Sequence, residues 1–321
     1  MAFDRVNEAD SELDVRLRDP DASQRQLALI ELEDSVDVEH VPALIRALDD
    51  SDEVVRRLAI TLLEELGDAR ALPGIIEHLS DPDAEVRDAA VTALRDFRGE
   101  NAAAPLIAAI AHPDAEVRRG VIVGLRELKD ERAVEPLLAA LHDSDASVRR
   151  EAVISLAYLR RPETVDALRG CLSDPDEQVR LVAVGALNVW NSPALLPDFI
   201  SALRDMDWRV RAEAAIVLGR SALSAATPGL LEALADRYWQ VQKEAINALG
   251  RLNALAATAP LIEFLHHEMS ELRRTAAYAL GDLRANEARD ALALLTNDKD
   301  IEVRKAASRA LTAIDNAGAR A

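Results

Sequence analysis

Stepping through the chain by 31 residues from Arg149 returns the same residue type almost every time. The column reads Arg25, Arg56, Arg87, Arg118, Arg149, Arg180, Arg211, Gln242, Arg273 and Arg304. Ten units follow one another without an insertion or deletion. A fixed period of this length implies a solenoid, in which each unit is one supersecondary element that buries its apolar face only against its neighbours.

Each unit divides into two helices, A and then B. Helix B opens on an Asp suited to cap a helix N-terminus, because its carboxylate can accept an orphan backbone N–H. That column is Asp21, Asp52, Asp83, Asp114, Asp145, Asp176, Asp207, then Tyr238 and Met269, then Asp300. A second Asp often stands two residues earlier, as in Asp81-Pro82-Asp83 and Asp174-Pro175-Asp176, which ends helix A and makes the turn. Behind the cap, Val148, Ala152, Leu156 and Leu159 form one helical stripe. The Leu156 column is Leu in all ten units and the Ala152 column departs from Ala only at Val121. Helix A carries its own stripe (Leu137, Leu138, Leu141), often with Pro near its start, as at Pro42, Pro73, Pro197 and Pro228.

The Ala-Leu-Gly endings (Ala248-Leu249-Gly250, Ala279-Leu280-Gly281), the Pro-Leu starts of helix A and the Asp-x-Asp-x-x-Val-Arg turns resemble the HEAT-like repeats named after phycobilisome lyases. The resemblance covers the whole chain. It implies an all-α fold, an α-α superhelix of ten 31-residue two-helix repeats, right-handed, with helices B on the concave side. With no Gly/Ser-rich linker interrupting the period, residues 1–321 read as a single domain, with a disordered start over 1–6 and a C-terminal tail over 316–321.

The formal net charge is −19 and unevenly spread. Residues 1–173 hold 21 Lys/Arg against 37 Asp/Glu, and residues 174–321 hold 17 against 20. Such a balance argues against nucleic acid as partner, since phosphate recognition needs clustered cations. Met1 to Asp10 has no apolar core of a signal peptide. No apolar run approaches the length of a membrane span of about 20 residues. The single cysteine, Cys171, leaves no internal disulfide to form. These features point to a reducing cytoplasm.

Function is expected on the face of helix B opposite the core stripe. Ser147, Glu151, Ile154 and Tyr158 share that ridge by helical spacing. In place of charge it carries apolar residues: Leu27, Ile30, Leu58, Val123, Ile154, Tyr158, Ile216 and Tyr278. Apolar residues on a face with nothing internal to pack suggest a groove; the alternative is that curvature buries them between neighbouring B helices. At the ridge's far end stand the carboxylates Asp34, Glu65, Asp96 and Glu127, replaced later by Arg220 and Arg251. That row reads as a solvated rim or as the receiver of a basic partner segment. Trp208 and Trp239 follow the cap in consecutive units, about 10 Å apart at the usual helix spacing. They read either as an exposed aromatic pair or as a cover for the repeat edge that replaces lost Asp–Arg contacts. Trp190, in the Leu159 column, reads as core.

Catalytic chemistry finds no support. A residue recurring in nine of ten units joins layers and does not catalyse, so the Arg column is read as an Asp–Arg ladder between turns. The six histidines form no i, i+4 pair, and no metal-ligand cluster has the required spacing. Deoxyhypusine hydroxylase, which resembles this architecture, carries His-Glu pairs on its B helices. The matching positions here are Arg150-Glu151, Ala212-Glu213, Lys243-Glu244 and Arg274-Thr275. No metal, cofactor or catalytic residue is therefore assigned. The leading expectation is a non-enzymatic scaffold whose groove takes a helix or extended segment of a protein partner, with oligomeric state open. The alternative is a lyase-like or chaperone-like factor for a tetrapyrrole or metal cofactor of a client protein; the propionates of a bilin would suit Arg211, Arg220 and Arg251.

Overall fold

A computed structural model describes residues 12–97 and 101–318. The expected disordered start at 1–6 lies outside them. The described residues form helices and turns without a strand. They group into two compact units, one running to Thr164 and the other beginning at Val165.

In the first unit, α1 (Glu12–Arg16), α3 (Val41–Ala47), α5 (Leu72–Glu77), α7 (Ala103–Ala109) and α9 (Val134–Ala140) are A helices. They alternate with the B helices α2 (Ala22–Leu32), α4 (Glu53–Leu66), α6 (Ala84–Asp96), α8 (Ala115–Leu128) and α10 (Ala146–Leu159). The second unit repeats the alternation. Its A helices are α11 (Val165–Gly170), α13 (Leu196–Ala202), α15 (Thr227–Ala233), α17 (Thr258–Phe264) and α19 (Arg289–Leu295). Its B helices are α12 (Glu177–Leu187), α14 (Trp208–Arg220), α16 (Trp239–Arg251), α18 (Ser270–Asp282) and α20 (Ile301–Gly318). The last helix thus runs past Asn316, where a tail was expected to begin.

Local chemistry sets the ends of the B helices. The cap carboxylates of Asp21, Asp52, Asp83, Asp114, Asp145, Asp176 and Asp207 accept backbone N–H groups of the first turn, whereas Tyr238 and Met269 provide no side-chain cap. The Ala152 column is buried in every copy, and the Leu156 column in all but its first and last copies, Leu32 and Leu311. The exits are equally regular. Gly67, Lys129, Arg160, Asn191, Ala222, Asn253 and Arg284 occupy one column, and all have φ between 43° and 61°. Six of the seven carry a Cβ in a left-handed conformation, which costs roughly 1–2 kcal/mol each. Ala222→Gly is expected to stabilise the protein by about 1 kcal/mol after the extra entropy of unfolded glycine is counted. A chemical melt with no gain would show that the turn is held by other contacts.

The Arg column forms the expected ladder along the turns. Six of its Arg donate from Nε and Nη2 to one Asp of the next turn. The first unit has Arg25 to Asp50, Arg56 to Asp81 and Arg118 to Asp143; the second has Arg180 to Asp205, Arg211 to Asp236 and Arg273 to Asp298. All twelve bonds measure 2.5–2.9 Å. Nη1 of the same Arg donates to carbonyls of its own turn, as Arg56 does to Asp50 O at 2.9 Å. Each Asp also accepts the N–H two residues on, as Asp81 does from Asp83 at 2.9 Å. One carboxylate therefore fixes its own turn and grips the preceding repeat.

The second unit adds a closer contact between B helices. A Cβ placed on Gly219 would lie 2.7 Å from Ala248 Cα, one on Gly250 3.1 Å from Ala279 Cα, and one on Gly281 2.9 Å from Ala310 Cα. The Ala-Leu-Gly ending therefore works in two directions: its Gly admits the Ala of the following B helix, and its Ala fills the Gly of the preceding one. The corresponding positions in the first unit hold Glu33, Glu64, Arg95, Arg126 and Ala157, each with a Cβ where these glycines have none.

Candidate functional site

Most of the ridge is narrower than helical spacing predicts. An interior B helix has a B helix on each side, so its flanks are covered as well as its base. In α10, Val153 and Ser155 are fully buried and Glu151 nearly so, its carboxylate facing Arg126 and Arg150 at 3.3 Å. Leu58 and Ile154 are half-buried, as are Ile216 and Tyr278 in the second unit. Val123 contradicts the expectation outright, at 3% exposure. Its neighbour Gly124 brings α8 against α6, a Cβ there lying 3.2 Å from Leu94 O, and Val123 is drawn into the seam.

What remains open lies at the ends of the first unit's ridge. Leu27 and Ile30, one turn apart on α2, are 42% and 51% exposed, and Tyr158 on α10 is 46% exposed with Lys129 Nζ 5.1 Å from its ring centre. Thr61 and Thr92 are exposed between them.

The carboxylate row follows the same edge. Asp34, Glu65 and Asp96 are exposed, while Glu127 is half-buried and 3.6 Å from Arg126. Glu64 sits beside this row. Burial, then a hydrogen bond with Asp96, raises its carboxyl above the ordinary value. Two acids hydrogen-bonded to each other are a sign of crowded negative charge.

In the second unit, Arg220 and Arg251 are exposed. Burial raises the carboxyls of Glu213 and Asp282, opposed by Arg220 and Arg251 respectively. Cations and acids are thus interleaved there, which leaves no rim of one sign.

Trp208 and Trp239 are both half-buried and do not pair with one another in the way their spacing suggested. Trp208 stacks on Tyr238 at 5.8 Å and 21°, with the guanidinium groups of Arg237 and Arg211 at 4.9 and 5.6 Å from the Tyr238 ring. Tyr238, the residue that replaced a cap, therefore covers this edge. Trp190 is half-buried and not the core residue its column implied, since it follows the end of α12 in a short 3₁₀ turn. Among the described residues no group of three or more His, Cys, Asp or Glu side chains could hold a metal, and no helix is long and apolar enough to cross a membrane.

Repeated antiparallel helix pairs joined by short turns define an α-solenoid. The model of HEAT repeats matches residues 12–95, 72–157, 134–188, 170–239 and 227–312, so the chain belongs to the HEAT repeat family. No curated protein matches at a significant level. Among solved structures, an engineered protein is 20% identical over 95% of this chain and 98% of its own, with a TM-score of 0.53. The Escherichia coli protein YibA is 22% identical over 84% of this chain and all of its own, with a TM-score of 0.57. A chain from the complex of Kap95p with RanGDP is 14% identical, with a TM-score of 0.65; it covers 95% of this chain, which spans only 48% of it. At these identities the likeness concerns the fold.

Proposed function

We propose that this HEAT protein is a non-enzymatic interaction scaffold. Its first unit binds a basic, partly apolar segment of a protein partner along the ridge from α2 to α10. The observation carrying this reading is the exposed pair Leu27 and Ile30 on the edge that also bears Asp34, Glu65 and Asp96. Apolar side chains there would hold the segment, and the acid row would orient it and speed its arrival. The second unit contributes less, because its B helices close on one another through Gly219, Gly250 and Gly281. The period runs unbroken through residues 164–165, which supports reading the repeats as one continuous domain. The complex of Kap95p with RanGDP is one case in which a chain of similar fold belongs to a protein assembly.

Titration against amphipathic 20-residue peptides with Lys on the polar face, and against versions with Glu there, tests the proposal. Binding should favour the Lys set and weaken as salt is added. Ile30→Asp should leave stability within about 0.5 kcal/mol of the parent, as surface changes usually do. The same change should weaken binding by about 2 kcal/mol if Ile30 is an anchor. Equal affinity for both peptide sets would remove the basic partner from the account.

A further inference from the structure

The ladder has two irregular rungs, one in each unit, and they differ in charge. In the second unit Gln242 replaces Arg, and His267 stands 25 residues on where other rungs have Asp; the Gln242 amide donates to Asp236 O at 2.8 Å, and no cation is left over. In the first unit the cation remains. Arg87 Nη1 donates to Asp81 O at 2.6 Å and Pro82 O at 2.9 Å, the same carbonyl clamp that orients the other ladder arginines. Opposite it, 25 residues on, stands His112 where other rungs have Asp. His112 performs the turn half of that task, its Nδ1 accepting the Asp114 N–H at 3.1 Å. Accepting there places its proton on Nε2, so the ring offers Arg87 no carboxylate oxygen.

We propose that Arg87 and His112 form a carboxylate-binding slot. Nε and Nη2 of Arg87 are the donor pair that holds an Asp bidentately at six other rungs, and such forks match a planar carboxylate. Both residues are half-buried and reachable from solvent. The groups around the slot are Asp81, already bound by Arg56; the cap residues Asp83 and Asp114; and the exposed Glu77, whose Oε2 is 3.7 Å from His112 Nε2. These acids keep the affinity modest and disfavour a doubly charged phosphate relative to a single carboxylate.

The experiment compares thermal melts of the full chain in acetate and in chloride at equal ionic strength and pH 7, with phosphate as a third arm. Acetate should raise the wild-type Tm by about 2 °C more than it raises that of Arg87→Gln, a shift on the scale of a weak added contact. His112→Asp should rebuild the rung, raising Tm by itself and abolishing the acetate increment. Arg304→Gln, which removes a ladder Arg clamped only to the Asp298 and Lys299 carbonyls, should leave the increment intact. A blocked peptide with one internal Asp that matches acetate assigns the slot to an acidic residue of a protein. Acetate that acts alone assigns it to a small carboxylic acid. An increment that survives Arg87→Gln or His112→Asp, that vanishes in Arg304→Gln, that is larger with phosphate, or that is absent from the wild type overturns the proposal.

Discussion

Asp81→Ala is expected to destabilise the protein by about 3 kcal/mol, because breaking a buried ion pair from one side leaves the other charge uncompensated. The side chains of Asp81 and Arg56 are only 4% and 12% exposed, so solvent screens the pair weakly. Arg56 would keep its carbonyl contact at Asp50, which places the loss at the low end for buried pairs. Adding Arg56→Met should recover most of the loss, since the stranded guanidinium is then gone. A single variant within 1 kcal/mol of wild type in urea melts would show the ladder to be decoration, since surface ion pairs contribute about that much.

The same rungs set the acid limit. Burial acts most strongly on Asp81 and Asp236 and opposes their ionisation, but the hydrogen bonds from Arg56 and Arg211, those from the backbone N–H groups of Asp83 and Tyr238 and the nearby positive charge together outweigh it and hold both carboxyls below the ordinary Asp value. The hydrogen bonds from Arg118 and Arg273 do the same for Asp143 and Asp298. A depressed folded pKa stabilises above the unfolded value near 3.9 and is lost as pH falls through the folded values. The ladder's contribution should therefore hold from neutral pH to about 4 and decline below it, and the decline should be shallower in Asp81→Ala.

Gly219→Val is expected to cost about 3 kcal/mol, at the upper end for overpacking a close contact. Its Cβ alone would meet Ala248 Cα at 2.7 Å and Ala248 Cβ at 2.8 Å, and backbone cannot step aside as a flexible side chain can. Gly170→Ala is the control, because nothing lies within 4 Å of a Cβ there. In that helix the substitution should stabilise by up to about 1 kcal/mol through propensity. Similar melts for the two variants would mean that the B helices of the second unit can part without loss.

The period made the layers, caps and ladder readable from the residues, since one Asp or Arg repeated at fixed register has one local task. The left-handed exits were not readable, because their column mixes Gly67, Lys129, Asn191 and Ala222 and only the backbone is shared. The ridge was misjudged at Val123 for a related reason. Helical spacing describes one helix against its base, whereas burial at Val123 comes from the helices beside α8. The stacking partner of Trp208 was not readable either, because the period relates it to Trp239 and carries no signal that sets it against the next repeat's cap residue. Its neighbour in the stack is Tyr238.

The binding surface is tested most directly by hydrogen exchange on the full chain with and without the tightest-binding basic peptide. Protection should concentrate on α2 and α4 and on the C-terminal ends of the B helices, where Asp34, Glu65 and Asp96 stand, with little change around Trp208 and Tyr238. Protection centred on residues 206–239, with α2 unchanged, would contradict the assignment and move the partner site to the aromatic edge of the second unit.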